Sequence, residues 1–349
     1  FMWFSTQGGI SRYDGHRFDL FKHIPGDPSS LSDSYVNTIY VDDYGRLWIG
    51  TYSGGLNRFH DDSQTFSHYI ENKNEVNGTQ YNHVSAITQF SAKQLLIGTK
   101  GKGLAVFDIE RGEFSRIQHP VLNGQFKNIN ALTSDDEGNF WIASEGDGVA
   151  HLSADLSHVR VFRHQVHDSQ SLSHNNVLSI LVDANKTVWL GSENGLNQLD
   201  VKTGKVQRHF PAGKSIAATG SNIIQSIVKD NKARLWLATH DGLRIMHDGG
   251  ARFSDFRHKP MDPDSISSNL LTTLFLDNEN VLWVGTFITG VDKLTLGNAA
   301  FGHYKHDPGN NSSLSARSVW SFTESQSGDI WIATDGGGIG LFDTHSGQF

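Results

Sequence analysis

The sequence contains no cysteine among its 349 residues. That absence excludes disulfides, thiolate metal sites and cysteine nucleophiles together, and it suits either side of a cell membrane. Proline is scarce (7) and glycine abundant (36), a balance that fits many short strands joined by tight turns. Apolar residues make up 37% of the chain, yet no run approaches the ~18 residues that read as a membrane-spanning helix. An excess of positive charge is also lacking. The net charge is -8 and no Lys/Arg stripe is visible, which argues against a nucleic-acid surface. Helical periodicity is weak throughout. No signal peptide is visible, and because the sequence opens inside an expected strand, further chain is expected before it.

What is present is a repeat. Trp3, Trp48, Trp141, Trp189, Trp236, Trp283 and Trp331 recur at multiples of about 47 residues, with Leu96 in the place of the missing member. The neighbouring residues repeat as well, from Leu47-Trp48-Ile49-Gly50-Thr51 to Ile330-Trp331-Ile332-Ala333-Thr334, so eight copies are present. Trp320 falls outside this register.

Each copy reads as four strands, A to D. Strand A is a short apolar run ending near an acidic residue, as in Val36 to Asp42 or Val177 to Asp183. A polar turn such as Asp42-Asp43-Tyr44-Gly45 suits a hairpin into strand B, the Trp segment. Strand C follows a glycine, and strand D alternates, as in Phe66-Ser67-His68-Tyr69. Four antiparallel strands repeated at this spacing form a propeller blade, which buries its faces only against its neighbours. The fold class is therefore all-β, a β-propeller spanning residues 1–349. Seven blades are expected, closed by pairing the N-terminal B, C and D strands with the A strand around Val319. Residues after about 326 would then begin a second propeller. An eight-bladed ring is the alternative.

These motifs resemble the two-component regulator propeller repeat. The likeness rests on Gly-x-Leu-Trp-Ile-Gly-Thr-x-x-x-Gly-Leu-x-x-Phe from Gly45 to Phe59, and on an inter-blade signature of the form Asp-Pro-x-x-x-Ser-Leu-Ser. Variants of that signature stand at Asp27 to Ser32, Asp168 to Ser173, Asp262 to Ser267 and Asp307 to Ser315. The resemblance implies a periplasmic sensor propeller of a hybrid histidine kinase or diguanylate cyclase, part of an inner-membrane protein. It also implies neighbouring propeller and β-sandwich domains in the same polypeptide, a membrane segment outside this chain, a homodimer, and a small-molecule ligand such as an oligosaccharide.

Three patterns invite a chemical reading. Asp43-x-Gly45-x-x-Trp48 and Asp136-x-Gly138-x-x-Trp141 overlap the Asp-box of sialidase propellers, but the paired carboxylates or arginine cluster of a glycosidase are not evident. The hairpin-turn reading is preferred. His164-x-x-His167 and His303-x-x-His306 sit beside Asp168 and Asp307, within the same signature as His23 and His258. A zinc site needs three or four convergent ligands, so a structural role is expected and no metal or cofactor. Gly9, Gly55, Gly103, Gly148, Gly195, Gly242, Gly290 and Gly338 close every B–C loop. A positive φ explains them better than phosphate binding does.

One slot behaves differently. Directly after the Thr/Ser that ends strand B stand Gln7, Tyr52, Lys100, Glu145, Glu193, His240, Phe287 and Asp335. The surroundings repeat while the slot takes nearly every chemical class. In a propeller, the B–C and D–A loops share one face around the channel mouth. Tyr52, Lys100, Glu145, Glu193, His240 and Phe287 are therefore the candidate ligand-binding residues, and no catalytic residue is assigned. The expected function is ligand sensing by a non-enzymatic domain. A propeller glycosidase or lyase and a pure protein-interaction scaffold are the competing readings.

Overall fold

Short apolar runs punctuated by Asp- and Gly-rich turns fold into consecutive antiparallel hairpins, and these assemble into a seven-bladed ring in the computed structural model. It describes residues 2–6, 9–13, 18–70, 82–183, 186–210, 222–247, 250, 252–262, 264–277, 280–296, 301–304, 306, 314, 316–335 and 338–344. Gln7, Asp307 and Ser315 of the patterns above lie outside them.

The chain opens with β1 (Met2–Thr6), β2 (Gly9–Tyr13) and β3 (Phe18–Phe21). Blade 1 is β4 (Val36–Val41), β5 (Leu47–Thr51), β6 (Leu56–His60) and β7 (Thr65–Tyr69). Blade 2 is β8 (Val84–Ser91), β9 (Gln94–Thr99), β10 (Leu104–Asp108) and β11 (Glu113–Arg116). A short helix, α1 (Pro120–Gly124), leads to blade 3: β12 (Ile129–Ser134), β13 (Phe140–Ser144), β14 (Val149–Leu152) and β15 (Val159–Phe162). Blade 4 is β16 (Val177–Val182), β17 (Thr187–Ser192), β18 (Gly195–Asp200) and β19 (Val206–His209). Blade 5 is β20 (Ile224–Lys229), β21 (Leu235–Thr239), β22 (Gly242–His247) and β23 (Arg252–Phe256). Blade 6 is β24 (Leu271–Leu276), β25 (Val281–Thr286), β26 (Val291–Thr295) and β27 (Phe301–Tyr304). Blade 7 contains β28 (Ser318–Glu324), β29 (Ile330–Asp335) and β30 (Gly338–Phe342).

Closure differs from the expectation. The A strand β28 pairs with β29, not with β1, and β1 joins the far side of β30 to give a sheet ordered β28-β29-β30-β1-β2-β3. The reason lies in chain entropy. A hairpin turn through Gly328 closes a loop of a few residues, whereas pairing β28 with β1 closes nearly the whole chain. Once β29 holds that edge of β28, the N-terminal strands add outside.

Each blade packs on the next through its strand-B anchor. Trp48 joins Val84 and Ile87 of blade 2, Trp141 joins Val177 and Val188 of blade 4, and Trp236 joins Leu271 and Leu274 of blade 6. Leu96 takes the same place against Ile129 and Phe140 of blade 3. The residue two beyond each anchor must be small. A Cβ on Gly50 would stand 2.5 Å from Val84 Cγ1, closer than packed atoms come. The aspartate ending strand A accepts from the indole of its own blade, Trp48 to Asp42 at 2.8 Å, Trp236 to Asp230 at 2.9 Å and Trp283 to Asp277 at 3.0 Å. Of the Asp-box-like patterns, Gly45 and Gly138 turn the A–B hairpin at φ 75° and 79° and the tryptophans are indole donors, but the acceptors are Asp42 and Asp135, one residue before Asp43 and Asp136.

The inter-blade signature is a self-bonded loop. His23, His164, His258 and His306 each donate through Nδ1 to the carbonyl of Leu31, Leu172, Ile266 and Leu314, at 2.9, 2.6, 2.8 and 2.6 Å. Strand C anchors its other end: Asn57 Oδ1, Asn197 Oδ1 and Asp292 Oδ2 accept from the backbone N–H of Ser32, Ser173 and Ser267 at 3.0, 2.7 and 2.8 Å. Loop carbonyls also bond the outer strands, Ser29 to the Phe66 N–H and Gln170 to the Val206 N–H. The signature therefore shields strand edges that would otherwise offer free pairing groups.

Candidate functional site at the channel mouth

The B–C loop is built to the same plan in every blade. The Thr or Ser ending strand B donates its hydroxyl to the carbonyl of the loop glycine: Thr51 to Gly55, Thr99 to Gly103, Ser144 to Gly148, Ser192 to Gly195, Thr239 to Gly242, Thr286 to Gly290 and Thr334 to Gly338. Gly55 needs its positive φ of 78° here, with the Tyr69 carbonyl standing where a Cβ would go. The slot residue is then tied to the loop entering strand A. The N–H groups of Tyr52, Lys100, Glu145, Glu193 and Phe287 donate to the carbonyls of Tyr35, His83, Asn128, Asn176 and Leu270 at 2.8 to 3.1 Å. A rigid frame thus holds a chemically free position at one point of each blade.

A second ring lies beneath. Every A strand carries a register shift at its second apolar step, which leaves Asn37, Ser85, Asn130, Leu178, Gln225, Thr272 and Trp320 as the extra residues. A bulge re-aims its side chain, and four of these reach the A strand of the next blade. Asn37, Ser85 and Asn130 donate to the carbonyls of Val84, Ile129 and Val177 at 3.1, 2.7 and 2.7 Å, and Thr272 donates to that of Val319. These bonds run round the channel from blade to blade.

The two rings divide the mouth by chemistry. On blades 1 and 2, Tyr52 is 52% exposed and lies between Tyr35 (ring centres 5.1 Å) and His83 (4.4 Å). Lys100 bonds Asn130 and approaches Glu145 at 3.4 Å. On blade 4, Glu193 accepts from Asn176 Nδ2 at 2.7 Å and lies 3.6 Å from His174 Nδ1. His240 bonds Gln225 at 2.8 Å within blade 5. Blade 6 is apolar here: Leu270, Phe287 and Ile288 are exposed, and Phe287 meets Trp320 of blade 7 edge-on at 5.8 Å, while the slot of blade 7 carries Asp335. Burial, followed by the nearby Lys100 charge, holds His83 below the usual imidazole range, and burial outweighs Glu193 at His240. Both rings are therefore neutral at pH 7.

Of the six residues expected from the sequence, Lys100 and Glu145 meet directly, and Tyr52 touches His83 of the blade that carries Lys100. His240 and Phe287 occupy the same position on their own blades, each with a different neighbour. Sequence reasoning missed Tyr35, His83, His174, Asn176 and Leu270, which precede strand A. Their signal was available, because that position varies between blades as freely as the slot does. Trp320 was visible as a tryptophan out of register, and the structure gives it a place in the lower ring. Among the described residues no group of His, Asp or Glu is arranged to hold a metal ion.

A seven-bladed ring of four-stranded antiparallel sheets, with one loop frame repeated from blade to blade, defines a β-propeller. Residues 30–53 and 171–194 match the two component regulator propeller model, each covering the end of the signature loop, strand A and the Trp strand of blades 1 and 4. Two of the repeats thus carry the two-component regulator propeller motif. In fold, the chain is similar to the extracellular domain of BT4673 from B. thetaiotaomicron, assigned to a hybrid two component system. That match has 18% identity and a TM-score of 0.60, over 99% of this chain and 49% of the other. It is also similar to PorZ, a surface component of the type-IX secretion system of Porphyromonas gingivalis, with 20% identity, a TM-score of 0.59 and coverage of 79% and 41%. The computationally designed protein Ika8 matches at 13% identity and a TM-score of 0.59, over 97% of this chain and 94% of that one. The chain thus spans about half the length of the natural structures it matches. No curated protein sequence matches it.

Proposed function

We propose that this propeller is the extracytoplasmic ligand-sensing module of a membrane-bound signalling protein of the two-component type. The mouth recognises a small molecule with one polar and one apolar face, such as a carbohydrate fragment, and the ligand-dependent arrangement of neighbouring domains passes the signal inward. The observation that carries this reading is the mouth itself: seven identical loop frames present aromatic, amide, acidic, basic and apolar side chains round one opening. Sugars offer the matching pattern of hydroxyl edges and apolar ring faces. Supporting it, the repeat family and the fold likeness to an extracellular sensor domain point to the same placement.

Calorimetric titration with neutral and sulfated disaccharides, cellobiose and a heparin disaccharide among them, tests it. Tyr52→Ala and Lys100→Ala should each weaken binding by about 1–2 kcal/mol. Stability should change by less than roughly 0.5 kcal/mol, since both sites are solvent-accessible. Unaltered affinity in both variants, or a ligand seated on the opposite face, would remove the mouth from consideration.

The module is proposed to have no hydrolytic activity of its own. Glu145 and Glu193 are each committed to a neighbouring cation or amide, and Asp292, whose pKa burial pushes up to about 6, is sealed inside blade 6. A glycosidase needs one protonated and one ionised carboxyl group at a shared site. Purified protein should therefore release no aryl alcohol from nitrophenyl glycosides and no reducing ends from glycans. Turnover that disappears with one Asp or Glu substitution would reverse this assignment.

A further inference from the structure

In blades 1 and 5 the repeat supplies its own cation over the strand-B tryptophan. Arg46 Nε lies 2.5 Å from Asp42 Oδ2, with its guanidinium 6.0 Å from the Trp48 ring centre. Arg234 Nε lies 2.6 Å from Asp230 Oδ2, with its guanidinium 5.4 Å from Trp236. Both aspartate side chains are fully covered, at 0% exposure. Blade 3 keeps the aspartate and the tryptophan but has Asn139 in the arginine's position.

The consequence is local and measurable. Asp135 Oδ2 has Asn139 Nδ2 at 3.3 Å, Trp141 Nε1 at 3.4 Å and His151 Nε2 at 3.4 Å, all longer than the bonds in blades 1 and 5. Its side chain is 17% exposed. Among the described residues no lysine or arginine lies within ion-pair reach of it. Lys186 is turned to Glu137, and Lys229 holds Asp183 at 2.5 Å. Burial opposes ionisation of Asp135, but the hydrogen bonds from Asn139 and His151 outweigh it, and the group stays ionised at neutral pH.

Over this spot, between blades 3 and 4 and on the face away from the mouth, the structure has a cavity of about 780 Å³. Asp135 and four more carboxylates line it against three lysines, Lys186, Lys202 and Lys205, and Trp141 and His151 border it. The His151 ring stacks on Trp141 at 4.2 Å, much as Arg58 lies over Trp48. We propose that this cavity binds an organic cation whose guanidinium or primary ammonium group takes the place that Arg46 and Arg234 fill in their own blades. The template is internal: the same aspartate and indole accept a guanidinium twice elsewhere in the ring. The cavity is of the size that holds small ligands, so it also accommodates the body of the molecule that carries the cation.

The test uses agmatine and the peptide acetyl-Gly-Arg-Gly-amide, titrated calorimetrically into the intact chain, the Asp135→Asn variant and the Asn139→Arg variant. Asn139→Arg restores the arginine of blades 1 and 5, so it fills the site without removing a wall, and its thermal melt checks that the ring is folded. Saturable binding of agmatine by the parent, weakened at least about tenfold in Asn139→Arg, supports the proposal. An equal loss in Asp135→Asn supports it further. Peptide binding about tenfold tighter than agmatine assigns the cation to a polypeptide side chain, and equal or weaker binding assigns it to a free small molecule. No saturation by either probe, or an affinity that Asn139→Arg leaves unchanged, overturns it.

Discussion

Trp48→Ala should lower the unfolding free energy by about 3–5 kcal/mol, read as a lower midpoint in urea. The residue is 0% exposed and packs against Tyr69 of its own blade and Phe107 of the next, at 5.9 and 5.6 Å between ring centres. Truncation therefore opens a cavity at a blade interface, where every contact is shared by two sheets. It also removes the indole donor from Asp42, a carboxylate that is 0% exposed in its side chain. Arg46 and the N–H groups of Tyr44 and Arg46 still bond Asp42, so the carboxylate keeps a counter-ion and the packing loss dominates. Because a ring unfolds as one body when neighbouring interfaces support each other, the change should appear as a shift of a single transition. An unmoved midpoint would mean that this tryptophan does not join the blades.

How far the sequence reaches is shown by particular residues. Strand A of blade 1 reads as Val36 to Asp42 and is found at Val36–Val41, because an apolar run ended by Asp-Asp-Tyr-Gly leaves little freedom. The loop glycines read correctly, since a fixed hairpin demands φ > 0 at one place. The bulge in strand A was not readable. Asn37, Leu178 and Trp320 share no chemistry, and a bulge is defined by pairing across strands, not by residue type. Closure was not readable either, because the chain holds two equivalent B–C hairpins and one free edge on β28. The helix at Pro120–Gly124 is too short to show a period; its start is set by His119, which caps the Val121 N–H, and by the proline after it. The slot residues were found through their disorder of type amid repeated neighbours. Their partners before strand A vary as freely, but the pairing shows only once the slot N–H groups are seen to bond those carbonyls. In blade 3 the informative residue was Asn139, significant only once Arg46 and Arg234 are seen to occupy the same place.

Asp292→Asn should stabilise the protein at neutral pH by on the order of 3 kcal/mol, with the gain vanishing in acid. Asp292 sits in strand C of blade 6 at 0% exposure, and burial pushes its pKa up to about 6 against bonds from Ser267 that favour the ionised form. A carboxyl group whose pKa is raised on folding binds its proton more tightly in the native state. Its contribution is therefore fully present below the unfolded pKa of about 4, and is lost as pH rises towards 6. Above that value the native state carries a constant penalty for the buried charge. The ring supplies the control: the same position is Asn57 in blade 1 and Asn197 in blade 4, and both accept the equivalent serine N–H through Oδ1. Asn197 also places its amide hydrogens towards the carbonyls of Leu190 and Gly195 at 3.3 and 3.5 Å, so an amide fits this environment without charge. Urea unfolding at a series of pH values checks the claim. The parent should lose stability relative to the variant between about pH 4 and pH 6, with parallel curves above. A variant that is less stable at pH 7, or a difference independent of pH, would show that the Asp292 charge is compensated within the blade and that the signature loop requires it.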